Sequence, residues 1–267
     1  MKQEHYSLED LLAIMAALRD PEHGCPWDLK QDFSSIVPHT LEEAYEVADT
    51  IAREAWHELP GELGDLLFQV VFYARFGEER SSFNFHDVVQ AISTKLVSRH
   101  PHVFGDVRFD DEAAIKANWE ATKAKERRAR DQAATSALDD IPLALPALSR
   151  ANKIQKRCAA VGFDWGELPP VVDKIREELD EVMEEVNQPE RDDDRIADEL
   201  GDLLFATVNL VRHLKQEPEA VLRRANAKFE RRFRAVEQLL AADGKDCTSS
   251  SLAEMDDCWR RVKQSEG

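Results

Sequence analysis

The heptapeptide ELGDLLF occurs twice in the sequence, at Glu62–Phe68 and, letter for letter, at Glu199–Phe205. An exact internal repeat of this kind indicates a duplicated structural unit. Each copy follows a related acidic segment, LEEAYEVADTIARE at Leu41–Glu54 and REELDEVMEEVNQ at Arg176–Gln188. Because the order of the two segments is duplicated as well, the sequence predicts two copies of one domain in tandem.

Basic and aromatic residues are duplicated further along each half. A lysine and an arginine lie four residues apart in both halves, and so do a tryptophan and a lysine, which places each pair on one face of a helix. The pairs are Lys95 with Arg99, Lys228 with Arg232, Trp119 with Lys123, and Trp259 with Lys263. The duplication therefore extends over nearly the whole length of each half.

The junction between the halves is predicted in the segment Glu126–Pro146, where a charged helical run gives way to small and polar residues before two prolines. A chain of 267 residues exceeds the usual size of one compact domain. We place the boundary near Gln132, which gives an N-terminal domain over 1–132 and a C-terminal domain over 133–267.

Helix is the predicted secondary structure almost throughout. Apolar residues recur at spacings of three and four, and no alternating strand pattern persists. Pro169 and Pro170 open one such helix, and Pro189 follows its end. The apolar positions of this helix are Val172, Ile175, Leu179, Val182 and Val186. The predicted fold class is all-α, with two tandem helical bundles.

Composition excludes several classes of protein. With 43% hydrophobic and 33% charged residues, the chain is typical of a folded, helix-rich protein. Its formal net charge of -18 repels a phosphate backbone, so we expect no direct binding of nucleic acid. A small phosphorylated ligand stays possible, because local cations can reverse the field in one pocket.

Cysteine usage and hydropathy indicate the compartment. The cysteines Cys25, Cys158, Cys247 and Cys258 show no spacing typical of a zinc site or a redox pair, and we interpret them as reduced. The first twenty residues are too acidic for a signal peptide, and no apolar run approaches the length of a membrane span. We therefore expect a cytoplasmic protein that does not contact a membrane.

Paired carboxylates carry the chemistry. Glu178 and Glu181 lie three residues apart, and Glu199 and Asp202 repeat this spacing on the next helix. Two antiparallel helices can bring the four side chains together. A glutamate-rich helix is ordinarily a solvated surface. Asp202, however, has apolar neighbours in sequence, which predicts a shielded carboxylate that needs a counter-charge. The equivalent set in the first half is Glu43, Glu46, Glu62 and Asp65.

A hard divalent cation is the predicted counter-charge. Oxygen ligands without paired His or Cys suit Mg²⁺, with Mn²⁺ as a substitute. Gly64 and Gly201, inside the repeated heptapeptide, are unfavourable in a helix and predict close approach of another helix beside the acids. A di-iron bundle is disfavoured, because its Glu-x-x-His motif occurs only at Glu54–His57 and has no partner.

These residues resemble the MazG family of nucleotide pyrophosphohydrolases. The resemblance rests on an EExxE motif followed by ExxD, and it spans nearly the whole chain. It includes CPWD at Cys25–Asp28, RHPHVF at Arg99–Phe104, VGFDW at Val161–Trp165 and KFERRF at Lys228–Phe233. The resemblance implies a mostly α fold, a homodimer, and a Mg²⁺-dependent reaction that converts a nucleoside triphosphate and water to the monophosphate and pyrophosphate.

The resemblance also implies roles for individual residues. Glu178, Glu181, Glu199 and Asp202 look like the metal ligands. Catalytic roles fall to Glu178, Glu199, Lys228 and Arg232. The implied substrate contacts are Lys174, Glu177, Arg195, Asp198, Lys228, Arg231, Arg232 and Trp259. Taken alone, the arginines of α-helical KFERRF would form an exposed basic surface, and Trp259 and Trp165 would equally suit a core or a ligand wall.

The alternatives are a narrower enzyme, such as a dUTP or phosphoribosyl-ATP pyrophosphatase, and a non-catalytic helical dimer that binds nucleotides. Between the two domains, we expect the second to be the main catalytic one, because more basic residues surround its acids. Thr40 and Glu43 also have the spacing of a capping box, which offers Glu43 a structural role. The first domain is then structural or regulatory, with a second acidic site.

Overall fold

The computed structural model describes residues 5–130 and 136–266. Within these ranges the chain forms α-helices and no strand, which confirms the predicted all-α class. The helices fall into two compact units, Met1–Lys125 and Glu126–Gly267. Gln132, where we place the boundary, lies outside the described residues, so the exact position of the domain boundary stays a prediction.

The first unit contains a helical hairpin with a further helix against it. Helices α2 and α3 form the hairpin, and α1 packs on α3. Met15, Ile36 and Phe72 are at the centre of the apolar core, with exposures of 1% or less. The helices are α1 (Leu8–Leu18), α2 (Val37–Ala52), α3 (Leu59–Glu79), α4 (Phe85–Arg99), α5 (Pro101–Phe104) and α6 (Glu112–Arg130), which runs across the division between the units.

The second unit repeats the hairpin. Helices α8 and α9 make the most extensive helix pair, α7 packs on α9, and α10 pairs with α11. Val236, Leu240, Cys258 and Val262 form an apolar cluster between α10 and α11. The helices are α7 (Ala147–Ala160), α8 (Leu168–Val186), α9 (Asp193–His213), α10 (Pro218–Ala242) and α11 (Leu252–Ser265).

Local sequence signals fix the ends of the two hairpin helices. Pro169 and Pro170 occupy the first turn of α8, as predicted, because a proline there loses no helical hydrogen bond. Asp192 caps α9 by accepting hydrogen bonds from the backbone N–H groups of Asp194 and Arg195. The short connection between Val186 and Asp193 makes the two helices antiparallel neighbours, so the acidic residues of both helices meet along one seam.

None of the helices in the described ranges is long and apolar enough to cross a membrane.

Candidate metal centre and adjoining cavity

Three carboxylates of the second unit converge, as the spacing predicted. Glu178 on α8 and both Glu199 and Asp202 on α9 offer oxygen atoms that lie within 4.8 Å of one another. The spacing of three residues turns Glu199 and Asp202 to the same face of α9. This separation allows one cation to contact all three groups, so the cluster is a candidate metal centre.

Burial within this group is the reverse of our expectation. Glu178 has an exposure of only 5%, whereas Asp202 is exposed to solvent. The leucines next to Asp202 in sequence point to other sides of α9, and Phe205, three residues further along, lies on the same side without covering the Asp202 carboxylate. The costly group to leave unpaired is therefore Glu178.

Glu181, the fourth predicted ligand, is not in the group of three but is coupled to it. Burial, the charges of Glu178 and Glu199, and a hydrogen bond with Glu178 raise the pKa of Glu181, and the charge of Lys174 opposes this shift. Glu181 is therefore a carboxyl group that is partly shielded from water and lies beside other carboxylates.

Lys174 supplies a positive charge beside these carboxylates. Its Nζ lies 2.6 Å from Oε1 of Glu177 and 2.7 Å from Oε1 of Glu178. Hydrogen bonds to Glu177 and Glu178 raise the pKa of Lys174, so its ammonium group stays charged over the whole neutral range. Two predicted substrate contacts, Lys174 and Glu177, are thus placed at the edge of the carboxylate group.

The first unit repeats the group of three with Glu43, Glu62 and Asp65. Burial is the main cause that raises the pKa of Glu43, followed by the charges of Asp65 and Glu46. The position of Lys174, four residues before the buried glutamate, is taken by His39. An imidazole replaces an ammonium group beside the first cluster, with His39 Nδ1 lying 3.7 Å from Glu42.

The predicted capping box at Thr40 and Glu43 is wrong. Helix α2 begins at Val37, because Pro38 occupies its first turn, and Thr40 lies inside the helix. Its hydroxyl bonds to the Ile36 carbonyl and to the hydroxyl of Tyr73. Glu43 therefore has no capping role. Helix capping explains neither Glu43 in the first group nor Glu178 in the second.

The close helix approach predicted at Gly64 and Gly201 is not found among the described residues. A Cβ atom built on either glycine would meet no atom of the described residues within 4 Å. Both glycines therefore lie on open helix surface beside the acids.

The arginines among the remaining predicted contacts pair with other residues of the chain. Arg195 pairs with the buried Glu185, one turn of helix from the carboxylate group. Arg231 and Arg232 both pair with Glu266, at distances of 2.9 and 2.8 Å. Lys228 and Asp198 are exposed. Trp259 packs against Phe229, with ring centroids 5.2 Å apart, and against the cluster between α10 and α11.

A cavity of about 520 Å³ adjoins the carboxylate group of the second unit. Its volume lies in the range of small-molecule sites. Lys174, Glu178 and Asp202 form part of the wall, and no described residue of α10 or α11 does. The other wall residues include aromatic and polar side chains, namely Gln155, Phe163, Asp164, Trp165, Phe205, Asn209 and Arg212.

Most of these polar wall residues carry no sequence motif. Arg212 donates from Nη1 to the Asp164 carboxylate at 2.9 Å and forms a second bond from Nη2. His213 adds a hydrogen bond to Asp164 at 3.1 Å. Hydrogen bonds from Arg212 are the main reason that the pKa of Asp164 is lowered. This network fixes the loop before α8 against α9. The sequence offered two signals, the VGFDW segment at Val161–Trp165, which contains Asp164, and the interruption of an apolar run by Asn209.

Comparison with known proteins agrees with this arrangement. A family model described as the MazG nucleotide pyrophosphohydrolase domain matches residues 31–104 and 170–236. The chain is 56% identical over 259 residues to the nucleoside triphosphate pyrophosphohydrolase of Escherichia coli strain K12, covering 97% of this chain and 98% of that protein. The second matched range includes the carboxylates of the second unit, but the cavity residues Gln155 and Trp165 precede it.

Two further relatives match over almost the whole chain. A protein of Thermotoga maritima named nucleoside triphosphate pyrophosphohydrolase/pyrophosphatase MazG is 39% identical over 263 residues, covering 98% of both chains. A Bacillus subtilis protein, the uncharacterized protein YabN, is 40% identical over 262 residues, covering 98% of this chain and 53% of its own length. The similarity thus includes both carboxylate groups.

Proposed function

The chain belongs to the MazG family of nucleotide pyrophosphohydrolases, and from this premise we propose that it cleaves nucleoside triphosphates to the monophosphate and pyrophosphate at the second carboxylate group. The observation that carries this proposal is the convergence of Glu178, Glu199 and Asp202 beside a cavity large enough for a nucleotide. The class of enzyme, a hydrolase that acts on nucleoside triphosphates, is shared with full-length relatives.

The carboxylates fit a hard divalent cation. They offer only oxygen atoms, and burial together with the charges of Glu178 and Glu199 raises the pKa of Glu181 beside them. Glu178, Glu199 and Asp202 would hold Mg²⁺, with Glu181 beside them and Mn²⁺ as a substitute. When bound, such a cation neutralises charge on phosphate oxygens and activates water for attack.

Lys174 can then bind either to Glu178 or to the substrate. Its ammonium group bonds to Glu178, one of the proposed cation ligands. A cation and Lys174 compete for the charge of this carboxylate, so cation binding would release Lys174 to a phosphate oxygen of the substrate. A charge-assisted hydrogen bond of this kind stabilises the negative charge that develops on the leaving pyrophosphate.

The basic residues of α10 are proposed as substrate contacts on the family resemblance. Lys228, Arg231 and Arg232 lie within about one turn of one another in the middle of α10, and Glu266 pairs with both arginines. A triphosphate, with a charge near -4, attracts a guanidinium group more strongly than the single carboxylate of Glu266 does. These arginines would therefore exchange partners when the substrate binds. Trp259 and Arg195 are proposed as further contacts of the same kind.

A homodimer is proposed from the apolar surface of the hairpin. Leu179 and Met183 on α8 and Leu200 and Leu204 on α9 expose between 44% and 59% of their area. Neighbouring exposed leucines on both helices are typical of a surface that packs against another protein surface. A second copy of this chain would cover the apolar strip, and Gly201 on the same surface leaves room for a close backbone.

Catalysis is assigned to the second unit, and the first unit is proposed to be structural or regulatory. Lys174 stands beside Glu178, whereas His39 stands at the equivalent place beside the first group. The cavity of about 520 Å³ also adjoins the second group. The ammonium group of Lys174 and the adjoining cavity both favour binding of a triphosphate at the second site.

Product identification tests the proposed reaction. The protein would be incubated with each ribo- and deoxyribonucleoside triphosphate and Mg²⁺, and the phosphorus products identified by ³¹P NMR. We expect the monophosphate and pyrophosphate from most substrates, and loss of turnover on chelation. Diphosphate and free phosphate as initial products would contradict cleavage between the α- and β-phosphates. Turnover restricted to dUTP or phosphoribosyl-ATP would indicate the narrower enzyme, and binding without turnover would indicate a nucleotide-binding dimer.

A further inference from the structure

Gln155 presents an unpaired acceptor to the cavity. It lies on α7 with an exposure of 7%, and its Nε2 donates to the backbone carbonyl of Phe205 at 2.8 Å. Since a carbonyl oxygen accepts only, this bond fixes the orientation of the amide. The remaining atom, Oε1, is buried and has no hydrogen-bond partner among the described residues. Native proteins leave few buried acceptors without a donor, so an external donor is the natural explanation.

Asn209 presents the complementary group. Its Oδ1 accepts hydrogen bonds from Nε and Nη2 of Arg212, at 3.0 and 2.7 Å. A guanidinium group donates only, so these bonds fix the orientation of the Asn209 amide as well. Its Nδ2 donates to none of the residues in the described ranges. Gln155 and Asn209 both form part of the cavity wall, which therefore holds one fixed acceptor and one fixed donor.

The rest of the cavity suits a flat, partly apolar group attached to a phosphate chain. Phe163 and Trp165 supply aromatic surface, on which a heterocycle can stack. Lys174 and Glu178 of the carboxylate group belong to the same wall. A single molecule can thus place its charged part at the carboxylates and its heterocycle near the two amides.

We infer that the cavity binds the nucleobase of the substrate. Oε1 of Gln155 accepts a hydrogen bond from an N–H group on the Watson–Crick edge of the base. A ring or carbonyl acceptor next to this N–H group faces Nδ2 of Asn209. Gln155 is then a specificity-determining residue. The inference rests on the proposed function, since it concerns the substrate of the same site. Adenine, cytosine, guanine and uracil each carry a donor next to an acceptor on this edge, so the two amides require such an edge and do not by themselves select one base.

Substrate analogues without the donor test the inference. Values of kcat/KM would be measured for four pairs: ATP and purine riboside triphosphate, CTP and pyrimidin-2-one riboside triphosphate, UTP and 3-methyluridine triphosphate, and GTP and 1-methylguanosine triphosphate. For at least one pair, we expect the natural nucleotide to be preferred by about tenfold or more, because the analogue leaves a buried acceptor unpaired. In Gln155→Leu this preference should fall to near one, through a lower kcat/KM for the natural nucleotide.

Asn152 offers a matched control. It lies on the same helix, has an exposure of 5%, and also has a buried, unpaired side-chain oxygen, but it is not part of the cavity wall. Asn152→Leu should therefore keep the preference of the parent protein. Thermal unfolding would verify that each variant is folded, and Gln155→Met would replace Gln155→Leu if the latter is not.

The outcomes separate this inference from the proposed function. Equal kcat/KM within all four pairs in the parent protein, or an unchanged preference in the Gln155 variant, would overturn the role of Gln155 while nucleotide hydrolysis itself stands. If the parent protein hydrolyses none of the triphosphates in the presence of Mg²⁺, the proposed function fails together with it.

Discussion

Nζ of Lys174 lies 2.7 Å from Oε1 of Glu178, one turn further along the same helix, and Glu178 is the most buried carboxylate of the second group. Hydrogen bonds to Glu177 and Glu178 raise the pKa of this lysine. The ion pair balances one of the converging carboxylates with a side chain of the chain itself. We therefore expect protein stability, cation binding and substrate binding to be coupled through this one ammonium group.

Replacing this lysine tests the coupling. In Lys174→Met, the carboxylate of Glu178 stays buried without its partner, and we expect a loss of about 1–3 kcal/mol in the free energy of unfolding at neutral pH without divalent cations. Mg²⁺ should recover part of the loss, because a ligand that binds only the folded state stabilises it. The measurement is urea unfolding with and without Mg²⁺. Arg176→Met is the control, since Arg176 pairs with Asp173 on the exposed side of α8; an equal loss in both variants would contradict the coupling.

The loop before α8 gives a prediction of pH dependence. Hydrogen bonds from Arg212 lower the pKa of Asp164 below its ordinary value of 3.8. A carboxyl group with a lowered pKa in the folded state stabilises the protein above its unfolded pKa, and this contribution is lost as the pH falls through the folded pKa. We expect Asp164→Asn to lower the free energy of unfolding by about 1–2 kcal/mol at pH 7, and this difference to shrink below about pH 4.

Urea unfolding of the parent protein and Asp164→Asn across this pH range would measure the difference. Asp173→Asn removes a carboxylate whose partner, Arg176, is largely exposed, and it serves as the control. A difference between Asp164→Asn and the parent protein that stays constant from pH 7 to pH 3 would show that the Asp164–Arg212 pair is not the origin of the stabilisation.

Gly201 tests the proposed homodimer through the sign of one substitution. In the chain alone, a Cβ at Gly201 meets no described atom within 4 Å, so Gly201→Ala should stabilise the helix by about 0.5–1 kcal/mol. If a second copy packs closely on this surface, the added methyl group should instead weaken the dimer. Sedimentation equilibrium and thermal unfolding at several protein concentrations distinguish the two. A stabilised variant whose oligomeric state is unchanged would count against close packing at Gly201.

The fold and the carboxylate groups followed from the sequence because both depend on short-range periodicity. The repeat of ELGDLLF indicated the duplication, and a spacing of three residues fixed which face of a helix carries Glu199 and Asp202. The order of burial did not follow. Whether Glu178 or Asp202 is shielded depends on which helix packs across from it, and the neighbours along the chain do not contain this information.

The cavity could not be predicted from the sequence, for a related reason. Gln155 and Asn209 are single polar residues on amphipathic helices, with no fixed spacing between them, and only the packing of α7 on α9 brings them to one wall. The capping box at Thr40 was a different kind of error. Pro38 signalled an earlier start of α2, and this signal outweighs the spacing between Thr40 and Glu43.

The last prediction concerns which carboxylate group is catalytic. Because Thr40 and Glu43 do not form a capping box, Glu43 has no capping role that would explain its presence. The preference for the second unit therefore rests on Lys174 and the adjoining cavity. Glu199→Gln removes one negative charge from the second group and keeps the shape of the side chain. We expect it to lower kcat by about a hundredfold or more with Mg²⁺, because cation binding and charge balance are both lost, while Glu62→Gln keeps turnover close to that of the parent protein.

Steady-state kinetics of both variants, with Glu184→Gln as a control for removing an exposed charge from α8, would decide the question. Circular dichroism would verify that the helices are retained. Loss of activity confined to Glu62→Gln would reverse the assignment, because the histidine-flanked group would then be the working one. Equal partial losses would mean that both groups hydrolyse substrate, since each variant would leave one intact site. In that case turnover at the first group does not require an ammonium group, because His39 there occupies the position that Lys174 has in the second unit.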